Sequence, residues 1–522
     1  MKPIHRGTGT TPSERHLLSL CENTFLDLWS YPNVYYKKPN EIKSYEKEVC
    51  DLIAVSGRDV FVFSDKEIKF NEEIDVERAW SRWQKKAIHN SVKQINGAFR
   101  ILSMYPDHIY TDEKCEHKLP IVIPNTGEWR LHGIVVARGA GTAISKHADI
   151  YPGTLHVFTQ NANDRENTDE NLPIFCVGDV NYPKSFIHIF DDYSLEIILR
   201  EFDTISDFSN YLCKRERFLR SNTVFSKAEK NLCAYFMAKM NRAEDRHDFV
   251  GEDGHPISDE AIYFDDGFYE ETIRDPQYLY KKARYKSSYF FDQLIKQFTK
   301  YIISGEIADH TPGKKTFANI ERSVRALAEI PRHERMMFAE GMIDWLRKHS
   351  DKDRAARTLF SGSSMEDAER IIVFVLLGPP KKEEFEYEKY LEVRRATLSA
   401  YALCAFQRFR PRRGVIAIGL PSKLAVERYD GASEDLVFLP PENWTESAEQ
   451  SAREAKELLD IYNEGRETVR RGSAPEYPKD YEVEYIRIMQ SNLSRQQKRE
   501  RVRKLCKYYN IDRSELQKLL II

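Results

Sequence analysis

Residues Glu48 to Lys66 read E-V-C-D-L-I-A-V-S-G-R-D-V-F-V-F-S-D-K, and no other stretch of this chain constrains its fold as strongly. Val49 to Val55 and Val60 to Lys66 are rich in β-branched and aromatic residues, and Ser-Gly-Arg-Asp (56 to 59) between them is turn chemistry. The segment therefore predicts a β-hairpin. Side chains alternate along a strand, so Asp51, Ile53 and Val55 share one face of the first strand. On the second, Val60, Val62, Ser64 and Lys66 share a face, while Phe61, Phe63 and Asp65 share the other. An Asp and a Lys set at one hairpin, inside otherwise apolar strands, are either paired with each other or used for chemistry.

The hairpin is framed by helical patterns. Thr11 or Ser13 caps a predicted helix over Thr11 to Trp29, with its stripe at Leu17, Cys21, Thr24 and Leu28, and the Tyr-Pro-Asn turn at 31 to 33 ends it. A long helix follows over Val76 to Leu102. Gly133 to Ala137, Thr154 to Thr159 and Phe186 to Phe190 are further strand candidates, so helix and strand alternate as in an α/β sandwich with a mixed sheet. Gly139-Ala140-Gly141 reads as a strand-to-helix connection, since it lacks both phosphate-loop glycine patterns.

Asp51, Lys66 and their spacing resemble the core of the PD-(D/E)xK nuclease superfamily, closest in rhythm to its nuclease-related-domain branch. The resemblance covers about the first hundred residues. It implies a restriction-endonuclease-like fold with Asp51 as a metal ligand and Lys66 as the motif lysine. It makes Glu14 or Glu22, on the first helix, a further acidic ligand, and Gln94, in K-Q-I-N-G-A-F-R-I-L, the glutamine of the following helix. The family's second acid is replaced by Ser64, two residues before Lys66. Two repairs are open: a bulge that re-aims Asp65, or Glu48 reaching in to share the metal. The implied cofactor is Mg²⁺ or Mn²⁺, held by a few carboxylate oxygens with waters retained. Such an ion polarises a phosphoryl oxygen and activates a bound water, and a lysine beside it steadies developing negative charge. The plainer alternative is a buried Asp51–Lys66 ion pair that pins the hairpin.

At 522 residues the chain exceeds one ordinary core. The expected domains are a nuclease-like α/β domain (1–220), a mainly helical domain (221–380) and a C-terminal α/β plus helical domain (381–522). The very apolar run Ile371 to Leu377 reads as a buried helix, because M-E-D-A-E-R leads straight into it. Gly414 to Leu420 and Asp435 to Leu439 read as strands of a small α/β element, and Glu244 to Asp275 as a boundary loop. Near the C-terminus, Arg495, Lys498, Arg499, Arg501, Arg503, Lys504 and Lys507 stand against a lone Glu500. This is either a solvated helix face or a contact with a nucleic-acid backbone.

A net charge of −3 excludes a chain that coats nucleic acid as a whole, so any such contact is local. Eight scattered cysteines without C-x-x-C spacing read as reduced thiols, and no apolar run approaches the roughly 20 residues of a membrane span. With no signal core at the N-terminus, a cytoplasmic protein is expected. The histidines show no H-E-x-x-H or close metal pair in sequence. The function these readings imply is metal-dependent hydrolysis of nucleic acid, DNA first. The joining of such a domain to a large helical half resembles effectors of bacterial anti-phage defence, and a protein partner or a second copy is a further expected partner. The alternative is a catalytically degenerate nuclease fold that binds nucleic acid or protein.

Overall fold

A computed structural model describes residues 2–39, 46–148, 151–161, 173–244, 246–305, 316–362, 368–380, 386–430, 433–462, 480–511 and 516. The chain divides into two units, Ile4–Arg274 and Asp275–Ile522, the second grouped with Met1–Pro3. In the first unit, a capping box between Thr11 and Glu14 starts α1 (Pro12–Trp29) where the sequence places it. The chain then runs directly into β1 (Ser30–Tyr36), so Tyr31-Pro32-Asn33 is strand rather than the expected turn. The hairpin follows as β2 (Lys47–Ser56) and β3 (Asp59–Glu67). Next come α2 (Val76–Gln84) and α3 (Asn90–Met104), joined without a break by a π-helical turn at Lys85–His89.

The short strand β4 (Ile109–Tyr110), β5 (Arg130–Arg138), α4 (Gly141–Ala148), β6 (His156–Thr159), β7 (Cys176–Val177) and β8 (Ile187–Phe190) complete the strand-rich part. The main sheet has the order β4-β1-β2-β3-β5-β8. Its β4, β1, β2 and β3 pair antiparallel in turn, while β3, β5 and β8 run parallel, as the expected mixed sheet requires. One face packs on α1, where the Phe25 ring lies 4.8 Å from Phe61 and 6.1 Å from Phe63. The other receives α3, whose Ile95 and Phe99 approach Gly133 so closely that a Cβ there would have no room.

Helices α5 (Asp192–Glu201) and α6 (Ile205–Ser221) lead to β9 (Thr223–Ser226), α7 (Glu229–Ala238), β10 (Met240–Asn241), β11 (Arg246–His247), β12 (Ala261–Phe264) and α8 (Phe268–Arg274). A second sheet in the order β12-β9-β6-β7 pairs β9 with β6. Residues beyond 220 thus hydrogen-bond to residues near 157, and the boundary expected at 220 falls instead at 274/275. The expected loop Glu244 to Asp275 carries β11, β12 and α8, and the boundary lies at its end.

The second unit opens with α9 (Pro276–Tyr285), α10 (Tyr289–Ser304), α11 (Phe317–Ala328) and α12 (Arg332–His349). Then β13 (Arg354–Ser361), β14 (Arg370–Leu377), α13 (Tyr387–Phe409), β15 (Val415–Pro421), α14 (Lys423–Tyr429) and β16 (Asp435–Leu439) build a sheet in the order β13-β14-β15-β16. Ile371 to Leu377 is therefore a strand, not a helix. It lies between two neighbours with both faces covered, and Ile371 to Leu376 are at most 1% exposed. A strand buried on both faces shows no alternation, and its β-branched content was the better guide. The break expected at 380 splits this sheet, since β14 pairs with β15 across it. The unit ends with α15 (Glu446–Leu459), α16 (Asp480–Gln490) and α17 (Arg495–Tyr509). Among the described residues, no helix is long and apolar enough to cross a membrane.

The end of β3 is fixed to β5 by Gly139, whose φ of +97° suits glycine and whose carbonyl accepts from the Phe70 amide at 3.3 Å. A Cβ there would sit 2.3 Å from the Ile68 carbonyl oxygen. Gly139→Ala should lower the stability of the first unit by roughly 2 kcal/mol or more in chemical denaturation, through strain at positive φ and overpacking. An unchanged midpoint would contradict this placement.

Candidate metal centre

The β1–β2 ladder carries one irregularity, and the site is built around it. Pro32 pairs with Leu52 and Val34 with Cys50, but Tyr35 pairs with Glu48, so Val49 is an extra residue in β2. A bulge of this kind reverses side-chain alternation beyond it. Glu48, three residues before Asp51, is thereby returned to the Asp51 side. Asn33 lies opposite Asp51 in this register, at a φ of 45°. Its amide donates to Glu14 Oε2 and to Glu48 Oε1, each at 3.0 Å. One side chain thus ties the helix α1 acid to the strand acid.

On the hairpin's other edge, the β2–β3 ladder runs from Ser56↔Asp59 to Leu52↔Phe63. Beyond it the Asp65 amide donates to Asp51 Oδ2 at 2.6 Å. Lys66 Nζ stands 3.5 Å from the same oxygen, with the Lys66 side chain about one-third exposed. Ser64 Oγ donates to Gln94 Oε1 at 3.1 Å, which fastens α3 to the end of β3. Asp51, Ser64 and Lys66 share a face, as their alternation predicts.

Asp65 does not join them. β3 pairs with β5 without a register shift from Asp59 to Glu67, so no bulge re-aims it. Its carboxylate is fully buried and accepts from Arg138 Nε at 2.8 Å. Among the described residues its second oxygen and Arg138 Nη2 have no hydrogen-bond partner. Glu22 is also elsewhere, accepting from Arg6 Nη1 at 2.7 Å.

Burial pushes the Asp51 carboxyl above its usual range, and neither Lys66 nor the Asp65 amide cancels that rise. Glu48 is raised as well, by burial and by the negative charges of Asp51 and Glu14, against the hydrogen bond from Asn33. Glu14 goes the other way: burial would raise it, but bonds from Thr10, Thr11 and Asn33 hold it down at about 2. Glu48 and Asp51 thus feel the negative charge of neighbouring acids, with the Lys66 ammonium at the rim; among the described residues, Glu14, Glu48 and Asp51 do not bring their donor atoms within 4.8 Å of one another. Hard oxygen donors of this kind suit Mg²⁺ or Mn²⁺, and a divalent cation would relieve the repulsion. Sequence reasoning missed Asn33, whose Tyr-Pro-Asn context reads as a helix stop.

The basic tail lies in the other unit. α16 and α17 pack through Tyr485, Ile488, Val502 and Leu505, which turns Arg495, Arg499, Arg503 and Lys504 to solvent. Lys498 instead donates to the Met489 carbonyl at 2.6 Å. A groove of about 670 Å³ opens here, with Arg487, Arg501, Lys504 and the 82% exposed Tyr508 on its walls.

In comparisons with known proteins the chain matches no family model, and no curated protein and no solved structure matches it significantly.

The two raised carboxyls set a sign for pH dependence. A folded pKa above the unfolded value gives stability that is complete below the ordinary carboxylate range and is lost as pH rises through the raised value. Without divalent ions, these two groups should therefore lower the melting temperature as pH rises above about 4, against Glu14, Asp59 and Asp248, whose lowered pKa values act with the opposite sign. Asp51→Asn and Glu48→Gln should each lose one such contribution and so shift the slope of melting temperature against pH upward; equal slopes in wild type and both variants would show that neither carboxyl is raised.

Proposed function

We propose that the first unit is a Mg²⁺- or Mn²⁺-dependent phosphodiesterase that acts on nucleic acid, DNA first, with the basic tail of the second unit contacting the backbone. The observation that carries this reading is the convergence of Asp51, Glu48 and Lys66 at one end of a hairpin, braced by Asn33. Asp51 and Glu48 would hold the ion, which when bound would supply charge neutralisation and a more acidic water. The chain's own groups would do the rest. Glu14, fixed by four donors, would hold Asn33 and through it Glu48 in place. The Lys66 ammonium would meet a phosphate oxygen and stabilise its developing charge. Gln94 would keep Ser64 and the end of β3 in register. A role in anti-phage defence, in the cytoplasm, follows from the resemblance of such domain combinations to defence effectors.

A second reading has its own observation. Ser64 stands where the family has an acid, and Asp65 is committed to Arg138. If Glu48 is no substitute for that acid, the domain binds nucleic acid or protein without cutting it.

The test is cleavage of linear duplex DNA, single-stranded DNA and RNA in Mg²⁺ or Mn²⁺. Wild type should cut at least one of them. Asp51→Asn, Glu48→Gln and Lys66→Ala should each lower the rate by about 10²-fold or more. Asp65→Asn should chiefly lower the melting temperature, because it disturbs a buried ion pair rather than the centre. No cleavage by wild type, with binding that survives Asp51→Asn, would establish the second reading.

The tail is tested separately. Charge reversal at Arg499, Arg503 and Lys504 should weaken DNA binding and reduce the slope of log affinity against log salt by about two to three, close to one for each phosphate no longer neutralised. An unaltered slope would remove the tail from the interface.

A further inference from the structure

Outside the carboxylate centre, His5, Asp112 and His117 come together on the surface of the first unit. Their donor atoms all lie within 4.8 Å of one another. We infer that these three side chains form a binding site for a divalent transition-metal ion of the zinc type, separate from the Asp51 centre and independent of the function proposed above.

The placement is built rather than incidental. Asp112 is held by the backbone amides of Glu116, at 3.1 Å, and His117, at 2.7 Å, so its carboxylate is fixed by the loop it begins. Its Oδ2 stands 3.2 Å from His117 Nδ1. His5 arrives from the segment before α1, with its Nδ1 3.2 Å from Thr111 Oγ1. With Nδ1–H donated to that hydroxyl, the Nε2 lone pair is left for a metal, the arrangement by which an outer partner orients a ligating histidine. The two imidazole rings stack at 4.4 Å and 16°. Both histidines are exposed, so burial of apolar surface does not account for the pairing.

The donor set decides the ion. Two imidazoles and one carboxylate with solvent at the open positions suit zinc and its neighbours, whereas Mg²⁺ takes oxygen ligands and waters. Tetrahedral zinc spaces its ligands by about 3.4 Å, so exposed side chains already within 4.8 Å need only small rotations. The ion would clamp the segment that holds His5 to the loop after β4. The same segment carries Arg6, bonded to Glu22 and Ser30, and Thr10 and Thr11, whose amides fix Glu14.

The full chain, stripped with a chelator, should be titrated with ZnCl₂ by calorimetry and with Co²⁺ by visible absorption. Wild type and Asp51→Asn should each bind one equivalent at this site and gain melting temperature with Zn²⁺. His5→Ala and His117→Ala should lose at least tenfold in affinity along with the Co²⁺ band and the thermal gain, and Asp112→Asn should weaken binding. His5→Ala removes an exposed side chain, so its metal-free melting temperature should match wild type and report on folding. Cys115→Ser should bind as wild type does. The inference is overturned if wild type takes up no Zn²⁺, if His5→Ala and His117→Ala bind as tightly as wild type, or if binding is lost only in Cys115→Ser.

Discussion

One extra residue in β2 decides the character of the first unit. Without Val49 opposite the Val34–Tyr35 step, alternation would place Glu48 and Asp51 on opposite faces of the sheet. With it, the exposed Glu48 comes to the side of the buried Asp51, and the charge of Asp51 adds to the rise in the Glu48 carboxyl. Asn33, held at positive φ across from Asp51, satisfies Glu48 and Glu14 with one amide. Asparagine tolerates the left-handed region better than most residues and brings two N–H donors, so this position suits both its backbone and its two acid partners.

Much of this was written in the sequence. Period-two apolar runs around a Ser-Gly turn gave the hairpin, and the threonine cap with Glu14 three residues on gave the start of α1. Faces were legible too: Asp51, Ser64 and Lys66 emerge together because regular strands leave no choice. What sequence did not reveal depends on neighbours far along the chain. The bulge is a property of the β1–β2 pairing, and neither strand announces it. Asn33 reads as a turn residue because Tyr-Pro-Asn follows a helix, yet the chain enters β1 with no turn at all. Ile371 to Leu377 lacks alternation because both flanks and both faces are occupied, a fact about β13 and β15 rather than about its own residues. His5, Asp112 and His117 escaped a search for metal spacing because the fold, not the spacing, joins them.

Charged groups inside the protein fall into two kinds. Arg215 and Glu229, and Arg394 and Asp435, are buried pairs with partner oxygens at 2.6 Å, locked by several bonds each. Pairs of this type hold elements together and leave little chemistry to spare. Asp51 and Lys66 differ: the contact is 3.5 Å, and the lysine is partly open to water. An ion pair so loose contributes little to stability, and it leaves an ammonium able to turn to an incoming anion. The contrast sets the Asp51–Lys66 contact apart from the structural ion pairs, among them Asp65–Arg138 on the same hairpin.

The regularity of β3 has two opposite effects on the centre. Because the strand continues without a bulge to Glu67, Asp65 is confined to the α1 face and joined to Arg138. The same regularity aims the Asp65 backbone amide at Asp51, where it becomes the closest donor to that carboxylate. Freeing the Asp65 side chain for the site would need a bulge, and a bulge would swing that amide away from Asp51. A second acid is therefore more compatible with the hairpin when it comes from β2. The bulge at Val49 turns Glu48 to the Asp51 side while leaving β3 intact, whereas the regular β3 keeps Asp65 on the opposite face with Arg138.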